Sequence, residues 1–344
     1  MGRILGVTLL ALVALAGAVW LAMRVPDIPF ATLEAAYTSP TSQFVTLENG
    51  ARVHFRDEGQ PDGHPIVLVH GFSASLHTWE GWVGALGDDY RLISLDLPGH
   101  GLSRQFALEA VGTSGFVATI DAVADVTGLD RFTLAGSSMG GHAAWAYAVS
   151  RPERTDGLVL VGAAGWIETE DEAASTPLVF RALQVGIIRH LIKDLDLRPM
   201  IRRGLIGSFH DQSHIYTAMV DRYAALSRAP GHRAATMHLL SGNAERLDAT
   251  EALMADIETP TLVLHGRQDK LVPVSNGERF GSTISDAELI IYEETGHLPQ
   301  EERTAESAAD VDDFLTRKVL VSSVSAIAAQ ATGGAVVVED LNSP

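Results

Sequence analysis

The chain has 344 residues, 46% hydrophobic and 20% charged, and its 43 acidic against 25 basic residues give a formal net charge of −18. Such a length fits one α/β domain of roughly 250 to 300 residues plus an insertion, and the acidic balance disfavours nucleic acid and anionic lipid as non-specific partners. The absence of cysteine excludes a disulfide framework, a cysteine nucleophile, a Cys-ligated zinc and a lipid-modified bacterial N-terminus.

From the N-terminus, Ile4 to Met23 is an uncharged run of twenty residues between Arg3 and Arg24. As a helix it would match a hydrocarbon layer of about 30 Å. Arg3 and the α-amino group precede it and Asp27 and Glu34 follow, a bias that points the N-terminus inward and the body outward. Residues 1–24 are therefore expected to be a membrane anchor. Ala16-Gly17-Ala18 resembles a cleavage site, so a signal peptide is the rival reading and a buried soluble helix a third. In the two leading cases the body is exported, either tethered to the membrane or secreted to a periplasmic or extracellular space. Residues 25–43, with Pro26, Pro29 and Pro40, read as a linker.

The folded body starts near Phe44. Phe44 to Leu47 and Arg52 to Arg56, separated by a turn containing Asn49-Gly50, predict a hairpin. Short apolar runs then alternate with helical stretches: Ile66–Val69, Arg91–Leu95, Phe132–Ala135, Leu158–Val161, Thr261–Leu264 and Leu289–Tyr292. Runs apolar on both faces and separated by helices indicate buried parallel strands. The expected fold is α/β, a doubly wound, mostly parallel sheet of eight strands, with core segments 44–165 and 258–319. Between them, residues 166–257 lose the alternation and read as a helical cap over the carboxyl ends of the strands. Trp166, Phe180 and Met200 are expected to pack cap helices, with lining of the pocket as the alternative. Residues 320–344 read as a low-complexity tail.

Gly136-Ser137-Ser138-Met139-Gly140 fits a nucleophile elbow, in which Ser138 sits on a strained strand-to-helix turn. The pentapeptide alone would occur by chance about 0.2 times in such a chain. Its setting, between the Phe132–Ala135 strand and a helix from Met139 to Val149, makes it a candidate. A serine hydroxyl needs a base and an orienting carboxylate. His297, in the loop after the last strand, is the candidate base, and Asp269, in the loop after the preceding strand, the candidate acid. His142 and His265 are expected to be structural or supporting. Acyl transfer also needs two N–H donors for the oxyanion, and the backbone amides of Phe72 and Met139 are the candidates. His210-Asp211-Gln212-Ser213-His214 spaces two imidazoles as on a zinc-binding helix, but Asp211 stands where such a motif needs glutamate. No metal and no cofactor is expected.

His70-Gly71-Phe72, Asp96-Leu97-Pro98-Gly99-His100-Gly101-Leu102-Ser103, the elbow with Gly141, His265-Gly266-Arg267-Gln268-Asp269 and Gly296-His297 together resemble the α/β-hydrolase superfamily over roughly residues 44–318. The resemblance implies a serine esterase or lipase-like enzyme acting on a small-molecule ester through an acyl-enzyme, with an apolar acyl group. Carbon–carbon bond hydrolases of ring-cleavage dienoates are the alternative, echoed by Ser138-Met139-Gly140-Gly141. Those enzymes typically have asparagine where this chain has Ser137, and tryptophan where it has Leu298. A non-catalytic ligand-binding member of the fold is the second alternative. Ser73 stands where many members have a second glycine, which puts the loop's shape in question.

Overall fold

The computed structural model describes residues 2–167 and 185–321. Two helices come first, α1 (Gly2–Met23) and α2 (Phe30–Tyr37). The hairpin β1 (Ser42–Thr46) and β2 (Arg52–Gly59) is antiparallel, and Gly50 at its turn has φ +83°. There follow β3 (His64–Val69), α3 (Glu80–Leu86), β4 (Tyr90–Leu95), α4 (Thr113–Val126), β5 (Phe132–Ser137), α5 (Met139–Ser150) and β6 (Thr155–Val161). The described cap holds α6 (Gly186–Ile192), α7 (Arg198–Ser208), α8 (Thr217–Leu226), α9 (His232–Leu240) and α10 (Glu251–Ala255). The core resumes with β7 (Thr261–Gly266), α11 (Val274–Thr283), β8 (Ala287–Tyr292), the short α12 (Pro299–Glu302) and α13 (Thr304–Phe314).

The eight strands form one sheet in the order β1-β2-β4-β3-β5-β6-β7-β8, parallel from β4 onward. This is the expected doubly wound fold. Side chains alternate across the sheet with period two: Val67 and Val69 of β3 enter the layer of α4 and α5, while Ile66 and Leu68 enter that of α3 and α13. Both faces are covered, which is why the strands read as continuous apolar runs. All the loops that carry candidate site residues leave the carboxyl ends of the parallel strands, so the sheet gathers them at one edge.

Residues 25–43, expected as a linker, contain a docked helix. Leu33 of α2 is buried against Leu102, Leu226 and Ala229, with Phe30 and Tyr37 beside it. Burying such a leucine contributes about 2 kcal/mol, enough to hold a two-turn helix that would not form alone. The preceding residues are tied to the cap: Trp20 Nε1 donates to Leu191 O at 2.5 Å, Arg24 pairs with Asp194 at 2.8 Å, and Arg228 donates to Pro26 O at 2.9 Å. Arg233 also pairs with Asp27.

Helix α1 is 22 residues long, and Val7, Leu10, Leu12, Leu15 and Leu21 are exposed on it. Among the described residues, no helix is long and apolar enough to cross a membrane. The spanning role expected of Ile4 to Met23 therefore has only the sequence run behind it. Of the residues expected to pack the cap, Trp166 is buried against Phe280 with Arg279 over its ring, and Phe180 lies outside the described residues, as does the tail beyond Val321. His210 and His214 do not share a helix face, because Gln212–His214 is a single tight turn.

Candidate active site

Ser138 occupies the bend between β5 and α5 with φ 55° and ψ −115°, a conformation that costs an L-residue about 1 to 3 kcal/mol. The bend closes only because its flanks are glycine. A Cβ on Gly136 would lie 2.1 Å from Gly140 O, and one on Gly140 would lie 2.1 Å from Val69 O. Ser138 N–H donates to Val161 O at 2.9 Å, while Ser138 O accepts from Ala164 and His142 at 3.1 and 3.0 Å. The strain is thus held by the next strand and by the helix it starts.

Asp269 and His297, the candidate acid and base, lie side by side, with Asp269 Oδ2 2.7 Å from His297 Nδ1. Asp269 Oδ1 accepts from the N–H groups of Leu271 and Val272 at 2.8 and 3.0 Å. His265 Nε2 lies 3.0 Å from Val272 O and 3.2 Å from Asp269 Oδ2, so this nitrogen carries the proton and donates to both oxygens. Burial alone would raise the Asp269 carboxyl. His297 and the hydrogen bonds from His265 and His297 outweigh it and hold the group well below the usual carboxylate range. The acid and base loops are also stitched together by Gln268, whose Oε1 accepts from Thr295 N–H at 3.0 Å and whose N–H donates to Thr295 O at 2.9 Å.

The elbow and the base share a neighbour. Ser138 bonds to Val161, and the next residue, Gly162, has φ +51° and would place a Cβ 2.9 Å from His297 O and 3.3 Å from its Nδ1. On the other side of Ser138, a Cβ on Gly71 would lie 3.2 Å from Ser138 Cβ and 3.8 Å from its Oγ. The Gly71-Phe72 turn therefore faces the hydroxyl. Met139 is the first residue of α5, where a backbone N–H has no helical acceptor. Ser73 adopts φ 58°, so it takes the left-handed conformation that a glycine would take there.

His70 sets the orientation of that turn. Leu97 N–H donates to His70 Nε2 at 3.0 Å, which leaves the proton on Nδ1, and Nδ1 donates to Gly71 O at 2.7 Å. Burial pushes this imidazole's pKa down, which keeps it neutral. Fixing the Gly71 carbonyl fixes the peptide whose other end is the Phe72 N–H. Below it, buried Asp96 accepts from Leu76 and Leu102 N–H, each at 2.8 Å, and pairs with His54 Nδ1 at 2.7 Å. Sequence reading placed His70 and Asp96 only in motifs. Their roles lie in contacts up to 42 residues away.

Between cap and core lies a cavity of about 160 Å³ lined by His77, Phe209, Tyr216, Arg222, Gln300 and Glu301 among others. Thr78 Oγ1 donates to Glu301 Oε1 at 2.5 Å, and Gln300 Nε2 donates to Thr78 Oγ1 and Ser137 Oγ at 3.3 Å each. Burial pushes the Glu301 carboxyl up to about 7, against the Thr78 hydrogen bond and Arg222. None of these residues was singled out by the sequence except Ser137.

A strained serine on a strand-to-helix bend and a histidine–carboxylate pair, gathered at one edge of an α/β sheet, make a candidate serine-hydrolase site. The chain belongs to the alpha/beta hydrolase fold family, whose model matches residues 64–304. It is 30% identical over 276 residues to a 2-hydroxy-6-oxononadienedioate/2-hydroxy-6-oxononatrienedioate hydrolase of Comamonas testosteroni, covering 76% of this chain and 92% of that enzyme. It is 28% identical over 286 residues to the 2-hydroxy-6-oxo-2,4-heptadienoate hydrolase of Pseudomonas putida, covering 79% and 95%. A solved structure of a membrane phospholipase A, described as a bacterial virulence factor, superposes with TM-score 0.68 at 26% identity, covering 92% of this chain and 98% of that one. The chain is thus a hydrolase of this family, with a small-molecule substrate.

Proposed function

We propose that the protein is a membrane-tethered serine hydrolase that cleaves carboxylic esters with an apolar acyl group. Ser138 Oγ attacks the ester carbonyl and His297 takes its proton, held in the right tautomer by Asp269. The oxyanion receives the N–H groups of Phe72 and Met139, each worth about 3 to 4 kcal/mol to the transition state. His297 returns the proton to the departing alcohol, and water attacking the acyl-enzyme releases the acid by the same steps.

The observation that carries the reading is the route of the N-terminus. Helix α1, about 33 Å long at 1.5 Å per residue, leads through Trp20 and Arg24 into contact with the cap at Leu191 and Asp194. Val7, Leu10, Leu15 and Leu21 are exposed on α1, so a membrane surface that took up these side chains would stand beside the cap. The likeness to the membrane phospholipase A supports this, because that match extends over 92% of the chain where the dienoate hydrolases cover 76 to 79%.

Carbon–carbon cleavage is the second reading, favoured by the names of the curated relatives. Ser137 and Leu298 stand against it, as the positions where that subfamily typically carries asparagine and tryptophan. One panel separates the two: short and long p-nitrophenyl esters, a phospholipid in mixed micelles, and a ring-cleavage dienoate, each with wild type and Ser138→Ala. Ester turnover that Ser138→Ala abolishes supports the proposal; dienoate turnover without any ester turnover replaces it. For the tether, carbonate extraction of the membrane fraction and the mass of the mature N-terminus suffice. A chain starting at Val19 would overturn it.

A further inference from the structure

We propose that Glu302 is a positioning residue that fastens the cap to the loop carrying His297. Its buried carboxylate accepts three backbone N–H groups from two segments, one nearby in sequence and one in the cap: Gly296 at 2.8 Å and His210 at 3.2 Å on Oε2, and Asp211 at 2.6 Å on Oε1. Gly296 immediately precedes His297, whereas His210 and Asp211 follow cap helix α7. The His297 N–H itself donates to Ser208 O at 2.6 Å. Both peptide N–H groups leading into the candidate base are therefore fixed by the cap, one directly and one through Glu302.

The fit leaves no slack. A Cβ on Gly296 would lie 2.3 Å from Ser208 O and 2.7 Å from His210 N, so the two segments touch backbone to backbone. Glu302 N–H bonds back to Leu298 O at 2.9 Å, which sets the carboxylate's reach from the residue after His297. An ionised carboxylate is the one side chain that accepts from three N–H groups without presenting a donor to any of them. Glutamine at this position keeps the shape but turns an NH2 toward at least one N–H. In this arrangement the cap is part of the scaffold of the base, and lifting residues 208–211 would release the His297 loop.

The proposal rests on the assignment of Ser138 and His297, and is independent of which bond the enzyme cleaves. It is tested on the full chain with Glu302→Gln, Glu302→Asp and Glu302→Ala, measuring fluorophosphonate labelling rate at Ser138, kcat and KM, and melting temperature. Glu302→Gln is expected to slow labelling and kcat roughly thirtyfold to a hundredfold, with KM within about threefold, the scale of a sub-ångström misplacement of a reacting group. Glu302→Asp, which keeps the charge on a shorter arm, recovers part of the loss. Tyr90→Phe removes a 2.7 Å hydrogen bond to Asp312 away from the site and serves as the destabilised reference, with labelling unchanged. Should Glu302→Ala fail to fold, the other two variants decide. A Glu302→Gln protein that melts lower but labels like wild type overturns the proposal, as does a rise in KM at unchanged kcat. Wild type that does not label at all overturns the Ser138 assignment and the proposal with it.

Discussion

Gly162→Ala isolates the geometry around His297 from the cost of backbone strain. Gly162 has φ +51°, and Gly128, at the end of α4, has φ +70°. An alanine in this left-handed region costs about 1 kcal/mol at either position, or a fall of roughly 2 to 4 °C in melting temperature for a domain of this size. The difference lies in what the new methyl meets: nothing within 4 Å at Gly128, but His297 O at 2.9 Å and His297 Nδ1 at 3.3 Å at Gly162. Relieving those contacts moves the imidazole by a few tenths of an ångström from a partner 2.7 Å away, Asp269 Oδ2. We expect both variants to melt lower, Gly162→Ala by more because its methyl also crowds the His297 backbone oxygen, and only Gly162→Ala to lose turnover, by about tenfold. The assay is kcat and phosphonate labelling rate beside a thermal melt. Equal activity in the two variants would refute the assignment of His297 as the base.

Asp269→Asn should lower kcat by about 10⁴ while leaving the circular dichroism unchanged, because an amide cannot hold the Nδ1–H tautomer of His297; a loss under tenfold would argue against a triad. Glu301 supplies a pH test. Its folded pKa is raised from 4.5 to about 7, so its contribution to stability is present below the unfolded value and is lost as pH rises through about 7. Glu301→Gln should therefore melt higher than wild type above that pH and nearly the same well below it. The gap is on the order of 2 kcal/mol, discounted because the residue is only half-buried. A gap that does not change with pH would remove Glu301 as its source.

The strands and the elbow were legible because their signals are local: apolar runs of fixed length, glycines where a Cβ cannot fit, and one serine between a strand and a helix. The pairing of Asp269 with His297 was legible through topology, since consecutive strand ends lie at one edge of a parallel sheet. Helix α2 was not. Pro29 reads as a loop signal, yet it sits at the N-cap, where its fixed φ and missing N–H cost nothing. The stabilising partners of α2, Leu226 and Ala229, lie nearly two hundred residues on. Glu302 escaped for the same reason, as two of its three hydrogen bonds span 92 and 91 residues. The tautomers of His70 and His265 follow only from which atoms donate to them.

The docked segment before the sheet has a consequence for the order in which the chain acquires its structure. Its partners Arg228 and Arg233 lie 202 and 206 residues later. At roughly 5 to 20 residues per second, a ribosome takes about 10 to 40 s to supply them. For that interval Leu33 has no socket, and the first segment made is among the last to be seated. During synthesis it is the cap, arriving late, that closes the molecule at its beginning.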